Sequence, residues 1–153
     1  MKLAAVVLAV SLCAALAACG GSSAPSRASY GKDVDKVCAT LGARVAAIQS
    51  DEPQTPDEIA GFAERLERAI DDGVRELRAV QRPDGEDGVR AGRWLDALQR
   101  QNDEVVKPAL AELQAAARRG DMAAVRRAVE RLQRSDSPRV DRLAREAGAR
   151  DCD

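Results

Sequence analysis

The sequence of 153 residues contains no histidine and only three aromatic residues, Tyr30, Phe62 and Trp94. The absence of histidine excludes imidazole acid–base chemistry, Ser-His and Cys-His nucleophiles, and every zinc or di-iron site that uses histidine ligands. Few aromatic residues are atypical of a β-sheet, whereas the abundant Ala, Leu, Arg and Glu favour helix. The composition therefore predicts an all-α protein, and no catalytic motif, cofactor site or metal site is recognisable.

An excess of charge of either sign is also missing. The chain has 24 Lys and Arg residues against 25 Asp and Glu residues, so its formal net charge is −1. A nucleic-acid-binding domain normally carries a clear basic excess. We therefore expect no nucleic-acid partner.

The first 18 residues have the features of a bacterial export signal. Lys2 supplies a positive charge, and an apolar run of about a dozen residues follows, too short for a membrane-spanning helix of about 20 residues. The run ends in Leu16, Ala17, Ala18 and Cys19, a lipobox in which Cys19 becomes the lipid-bearing first residue of the mature protein. An ordinary secretory signal cut at an Ala-x-Ala-like site is the alternative.

Two further regions follow this signal peptide of residues 1–18. Residues 19–29 are small and polar after the cysteine, and they predict a flexible tether. Residues 30–153 show apolar residues at helical spacing and predict a single helical domain. Lipid attachment would hold that domain at the extracytoplasmic face of the cell membrane.

Local signals divide the domain into four helical arms. Thr55, Pro56 and Glu58 form a capping-box pattern at the start of the second arm, and Pro108 interrupts the third arm, which runs from about Val89 to Arg118. Ser135 to Pro138 breaks the fourth arm into two short helices. Within the second arm, Glu64 with Arg68 and Asp71 with Arg75 are predicted i,i+4 ion pairs.

Four cysteines are present, of which Cys13 lies inside the apolar run of the signal peptide. Export and lipidation would leave Cys38 and Cys152, which predict a disulfide in an oxidising compartment. Redox sensing or a partial metal site are the alternatives, although no Cys-x-x-Cys and no histidine support them. A bridge from the first helix to the chain end requires an even number of arms, so we expect an antiparallel up-down four-helix bundle.

Three residues of the apolar stripes are candidates for ligand contact. Trp94 and Phe62 could line a pocket between helices, but lone aromatic residues on such stripes more often pack in a core. Asn102 lies on the stripe of the third arm and predicts either a binding group or a polar residue that sets helix register.

The chain resembles the small, uncharacterised lipoproteins of high-GC Gram-positive bacteria. The lipobox Leu16-Ala17-Ala18-Cys19, the helix bearing Cys38 and the terminal Ala147-Gly148-Ala149-Arg150-Asp151-Cys152 carry this resemblance. It implies a location in the cell envelope, identifies no catalytic residues and leaves the function open. The expected function is a non-enzymatic protein-binding or scaffolding module with an envelope protein as partner. A small-ligand carrier or sensor is the alternative.

Overall fold

A computed structural model describes residues 24–152, and these residues form helices and no strand. The helices are α1 (Arg27–Gln49), α2 (Pro56–Ala79), α3 (Gly85–Gln101), α4 (Lys107–Arg118), α5 (Met122–Gln133) and α6 (Pro138–Ala147). A π-turn (Asn102–Val106) joins α3 to α4 without a loop. The helices build four antiparallel arms, namely α1, α2, α3 with α4, and α5 with α6. The expected four-helix bundle with a broken last arm is confirmed.

Side-chain caps explain most of the helix starts. Thr55 accepts a hydrogen bond from the Glu58 amide while the Glu58 carboxylate accepts one from the Thr55 amide, which completes the predicted capping box. Asp121 caps α5 and Ser137 caps α6, each accepting a hydrogen bond from a backbone amide three residues later. Short-range sequence patterns therefore define these boundaries.

Two boundaries lie earlier than the sequence predicted. Helix α1 begins at Arg27 rather than after the predicted tether end at residue 29, because Ser26 caps it through the Ser29 amide. Helix α3 begins at Gly85, with Asp84 before it and the acidic Glu86 and Asp87 in its first turn, a placement that the helix dipole favours. The sequence predicted the start of this arm at about Val89, four residues later.

The interruption of the third arm is a π-turn rather than a simple kink. The Lys107 amide bonds the carbonyl of Asn102, five residues earlier. Pro108 follows at once and cannot donate a backbone hydrogen bond, so the widened turn lets the chain pass the proline and continue as α4. The third arm therefore keeps its direction along the bundle.

Two apolar clusters fill opposite ends of the bundle. The first cluster joins the beginning of α1 to the end of α2, to α3 and to α6, and its largest side chains are Tyr30 and Trp94. The second cluster joins the beginning of α2 to α4 and α5 through Leu110, Leu113 and many alanines. We call the first end proximal, because the chain enters there at α1, and the other end distal.

A disulfide closes the proximal end. Cys38 in α1 and Cys152 at the chain end are bonded, with their Cα atoms 5.3 Å apart and a sequence separation of 114. Their side chains pack against the first apolar cluster. The predicted bridge is confirmed, and the even number of arms that it required is the number found.

Candidate functional site

The predicted lipid-attachment site does not belong to the described part of the chain. Leu16, Ala17, Ala18 and Cys19 all precede residue 24. The lipobox and the acylation of Cys19 therefore remain predictions. The first described residues lead directly into α1, whose first residue is Arg27.

The last residues of the chain run across α1 beside the disulfide. Asp35, one turn before Cys38, accepts hydrogen bonds from the backbone amides of Arg150 at 2.8 Å and Asp151 at 3.1 Å. Four residues earlier, a Cβ atom on Gly31 would lie 2.2 Å from the carbonyl oxygen of Gly148. The C-terminal segment is thus attached to α1 by polar, covalent and close backbone contacts together.

Arginines from several segments surround the same end of the molecule. An open depression of about 490 Å³ is lined by Arg27, Arg90, Arg142, Arg145 and Glu146. A neighbouring cavity of about 470 Å³ shares Arg27 and Arg145 and adds Lys32, Asp35 and Arg150. We call the cationic residues of these two cavities the basic end; they are Arg27, Lys32, Arg90, Arg142, Arg145 and Arg150.

The two cavities are therefore lined by six cationic side chains and two carboxylates, those of Asp35 and Glu146. Some of the charge is neutralised, because Arg90 pairs with Glu86 and Asp87, and Arg142 lies 3.9 Å from Glu146. The Asp35 carboxylate is engaged with backbone amides. The sequence has no regular spacing that would predict this surface, because its residues come from α1, α3, α6 and the C-terminal segment.

The two aromatic candidates for ligand contact lie apart. Trp94 is 1% exposed and packs in the first apolar cluster with Tyr30, Val34 and Leu77. Phe62 is half-buried near the beginning of α2, fifteen residues before Leu77 on the same helix. The structure therefore does not bring Phe62 and Trp94 into a common pocket.

Asn102 forms part of a polar network between α2 and the π-turn. Its side-chain amide donates a hydrogen bond of 2.9 Å to Asp71, and Lys107 contacts Asp71 at 3.0 Å and Asp103 at 3.2 Å. Gln99 donates to Asp103 at 2.8 Å. With Asn102 only 3% exposed, this network resembles a buried polar element that fixes helix register.

Two charged groups of this network have pKa values shifted away from neutral pH. Hydrogen bonds from Gln99 and Lys107 hold the pKa of Asp103 below its ordinary value. Hydrogen bonds to Asp71 and Asp103 raise the pKa of Lys107. Both shifts keep the groups charged around neutral pH, which is opposite to the change that prepares a general acid or base. These shifts give no support for a general acid or base in this network.

Within residues 24–152, no three potential ligands among His, Cys, Asp and Glu are grouped to hold a metal ion. None of the helices in that range combines the length and apolarity that a membrane span needs.

Compared with known proteins, the chain matches no family model, and no curated protein and no solved structure shows significant similarity to it.

Proposed function

We propose that this protein is a membrane-anchored extracytoplasmic lipoprotein whose helical bundle binds another protein of the cell envelope. The observation that carries the proposal is the Cys38–Cys152 disulfide. Disulfides persist in oxidising compartments outside the cytoplasm, where the predicted signal peptide would deliver the chain. Acylation of Cys19 would then retain the bundle at the membrane, next to the residues that begin α1.

Metabolic labelling tests the anchor directly. Labelled palmitate is expected to enter the wild-type chain and the Cys13→Ala variant, but not the Cys19→Ala variant. Cys13 provides a matched control because it is also a cysteine of the first 19 residues but lies within the apolar run. Equal labelling of all three proteins would contradict lipid attachment at Cys19.

The distal end offers the surface for a protein partner. Met122 and Val129 on α5 are 44% and 38% exposed, and they lie on one helix face because they are two turns apart. Exposed Arg126 and Arg127 lie between them in sequence. Arg126 lies on the same helix face as Met122 and Val129, one turn from each. This combination of apolar and basic side chains fits a protein surface that has both apolar and acidic residues.

Crosslinking in intact cells tests this assignment. A photoreactive residue at Met122 is expected to give a defined adduct with one envelope protein, and the Arg126→Glu/Arg127→Glu background is expected to weaken that adduct. The same photoreactive residue at Val105, an exposed valine of the π-turn, is the control and should give no such adduct. Equal adducts at both positions, or none at Met122, would contradict a distal docking surface.

The alternative function, a carrier or sensor for a small ligand, has one observation in its favour. The Tyr30 hydroxyl and the Trp94 indole nitrogen are buried in the first apolar cluster without a hydrogen-bond partner among the described residues. Because Trp94 is the only tryptophan, its fluorescence would report ligand entry. An apolar ligand with a hydrogen-bond acceptor should change the emission if the carrier function is right. An unchanged emission across a panel of such ligands favours the protein-binding function.

A further inference from the structure

We propose that the basic end binds the anionic phospholipid headgroups of the membrane that carries the protein, so that the bundle stands on its proximal end. The inference rests on the proposed acylation of Cys19. It adds a second membrane contact to the lipid anchor and a defined orientation of the bundle, neither of which follows from acylation alone.

Charge is the first observation. Six cationic side chains from α1, α3, α6 and the C-terminal segment line the two adjoining cavities, in a chain whose formal net charge is −1. Arg27, Lys32 and Arg150 have no carboxylate within ion-pair distance among residues 24–152. Each basic residue near an anionic bilayer surface contributes to the electrostatic attraction between protein and membrane, and these contributions add. Arg27, Lys32 and Arg150 therefore offer positive charge to an anionic membrane surface.

The position of Arg27 is the second observation. It is the first residue of α1, whose first turn contains no acidic residue. The first turns of α4 and α5 also have none, whereas those of α2 and α3 each have two. A cation at the positive end of a helix dipole is locally unfavourable. Positions that break a local rule without a compensating contact are often functional. An anionic headgroup at this position would compensate both the arginine and the helix end.

The length of the connecting chain is the third observation. Arg27 follows Cys19 by eight residues, so their Cα atoms are at most about 29 Å apart even when the connection is fully extended. Helix α2 has 24 residues and spans the bundle over about 36 Å. If the distal end rested on the membrane with the bundle upright, Arg27 would lie beyond the reach of the anchor. An upright bundle is therefore restricted to contact through its proximal end.

One exposed apolar side chain lies at the proximal end of the bundle, outside the two cavities of the basic end. Val89 is 57% exposed near the beginning of α3, next to Arg90. A side chain of this kind enters the boundary between headgroups and acyl chains when basic neighbours bind the headgroups. The docked bundle would project Met122 and Val129 away from the membrane, toward the envelope partner of the proposed function.

Hydrogen–deuterium exchange of the full lipidated protein tests the proposal. The protein is reconstituted in vesicles of phosphatidylcholine alone and in vesicles of phosphatidylcholine with phosphatidylglycerol. Amides near the starts of α1 and α3 are expected to exchange at least about tenfold more slowly in the anionic vesicles at low salt, and high salt should remove the difference. The turn at Gly120 should exchange equally in both.

Two variants with the same change in charge provide the comparison. Arg27→Gln/Lys32→Gln/Arg142→Gln/Arg150→Gln removes four exposed cations of the basic end, and the protection is expected to disappear. Arg68→Gln/Arg119→Gln/Arg126→Gln/Arg127→Gln removes four exposed cations elsewhere and should leave the protection intact. Circular dichroism and the Cys38–Cys152 bond establish that both variants fold.

The outcomes separate docking from anchoring. Protection that is equal in both vesicle types, or equally reduced by both variants, overturns the docking proposal while palmitate labelling of Cys19 still supports the anchor. Absence of Cys19 labelling overturns the proposed anchor itself, whatever the exchange pattern shows.

Discussion

Gly31 in α1 packs directly against the backbone of Gly148 at the end of α6, which leaves no room for a side chain at Gly31. A Cβ atom added to Gly31 would lie 2.2 Å from the carbonyl oxygen of Gly148 and 2.8 Å from its carbonyl carbon. This contact lies one turn from Asp35 and two turns from the disulfide, so three consecutive turns of α1 hold the C-terminal segment.

The first prediction concerns this contact. Gly31→Ala should lower the free energy of unfolding by about 2 kcal/mol or more, because a backbone atom must move to admit the methyl group. Gly42→Ala is the control in the same helix, since a Cβ atom there meets nothing within 4 Å. It should raise stability by about 0.5–1 kcal/mol through helix propensity. Urea denaturation measures both, and equal effects would contradict the close contact.

The disulfide gives the second prediction. For a sequence separation of 114 between the two cysteines, the chain-entropy model assigns the bridge about 4–5 kcal/mol. Cys38→Ser/Cys152→Ser should therefore unfold at a clearly lower urea concentration than the oxidised wild type. Adding reductant should destabilise the wild type toward the variant and leave the variant unchanged. A loss below about 1 kcal/mol would show that the unfolded chain is not constrained as the model requires.

The third prediction is a dependence of stability on pH. Hydrogen bonds from the Gln54 and Thr55 backbone amides lower the pKa of Glu58. A lowered folded-state pKa stabilises the protein above the ordinary glutamate pKa of 4.5, and this stabilisation is lost as the pH falls below it. Glu58→Gln should therefore lose less stability than the wild type between about pH 7 and about pH 3.5.

The matched control for that experiment is Glu52→Gln. Glu52 is exposed and its carboxylate makes no hydrogen bond in the described structure, so the variant should follow the wild-type pH dependence. Thr55→Ala should separately lower stability by about 1 kcal/mol at neutral pH, because the side-chain cap of α2 is lost. If Glu58→Gln and Glu52→Gln respond alike to acid, the capping box is not the source of the effect.

The fourth prediction concerns the network at the π-turn. Asn102→Ala should lower the free energy of unfolding by about 2–3 kcal/mol, because it removes a buried hydrogen bond to the Asp71 carboxylate and leaves a gap. Gln99→Ala removes a more exposed hydrogen bond to Asp103 and should cost about 0.5 kcal/mol or less. Chemical denaturation distinguishes the two, and a larger loss for Gln99→Ala would contradict the burial-based ranking.

Several features of the fold could be predicted because they depend on neighbours in sequence. The caps at Thr55, Asp121 and Ser137 act within one helical turn, so the residues that make them are visible as short patterns. The helical spacing of apolar residues predicted the arms, and the residual cysteine pair predicted their even number.

The two ion pairs predicted within α2 are replaced by contacts with other residues. Glu64 accepts hydrogen bonds from Gln114 and Arg118 of α4 instead of pairing with Arg68. Asp71 binds Asn102 and Lys107 rather than Arg75, which contacts Asp72. Partners from another helix compete for the same carboxylates, and a single helix sequence contains no information about them.

By itself, the sequence determined an all-α chain and a cysteine pair able to form a bridge, because composition, periodicity and local order suffice for these inferences. It also predicts an export signal and a lipobox. Only the tertiary structure decided which side chains meet. It placed Trp94 in the core away from Phe62, and it widened the third arm into a π-turn before Pro108. It also gathered the six cations of the basic end, because packing brings together segments that lie more than a hundred residues apart.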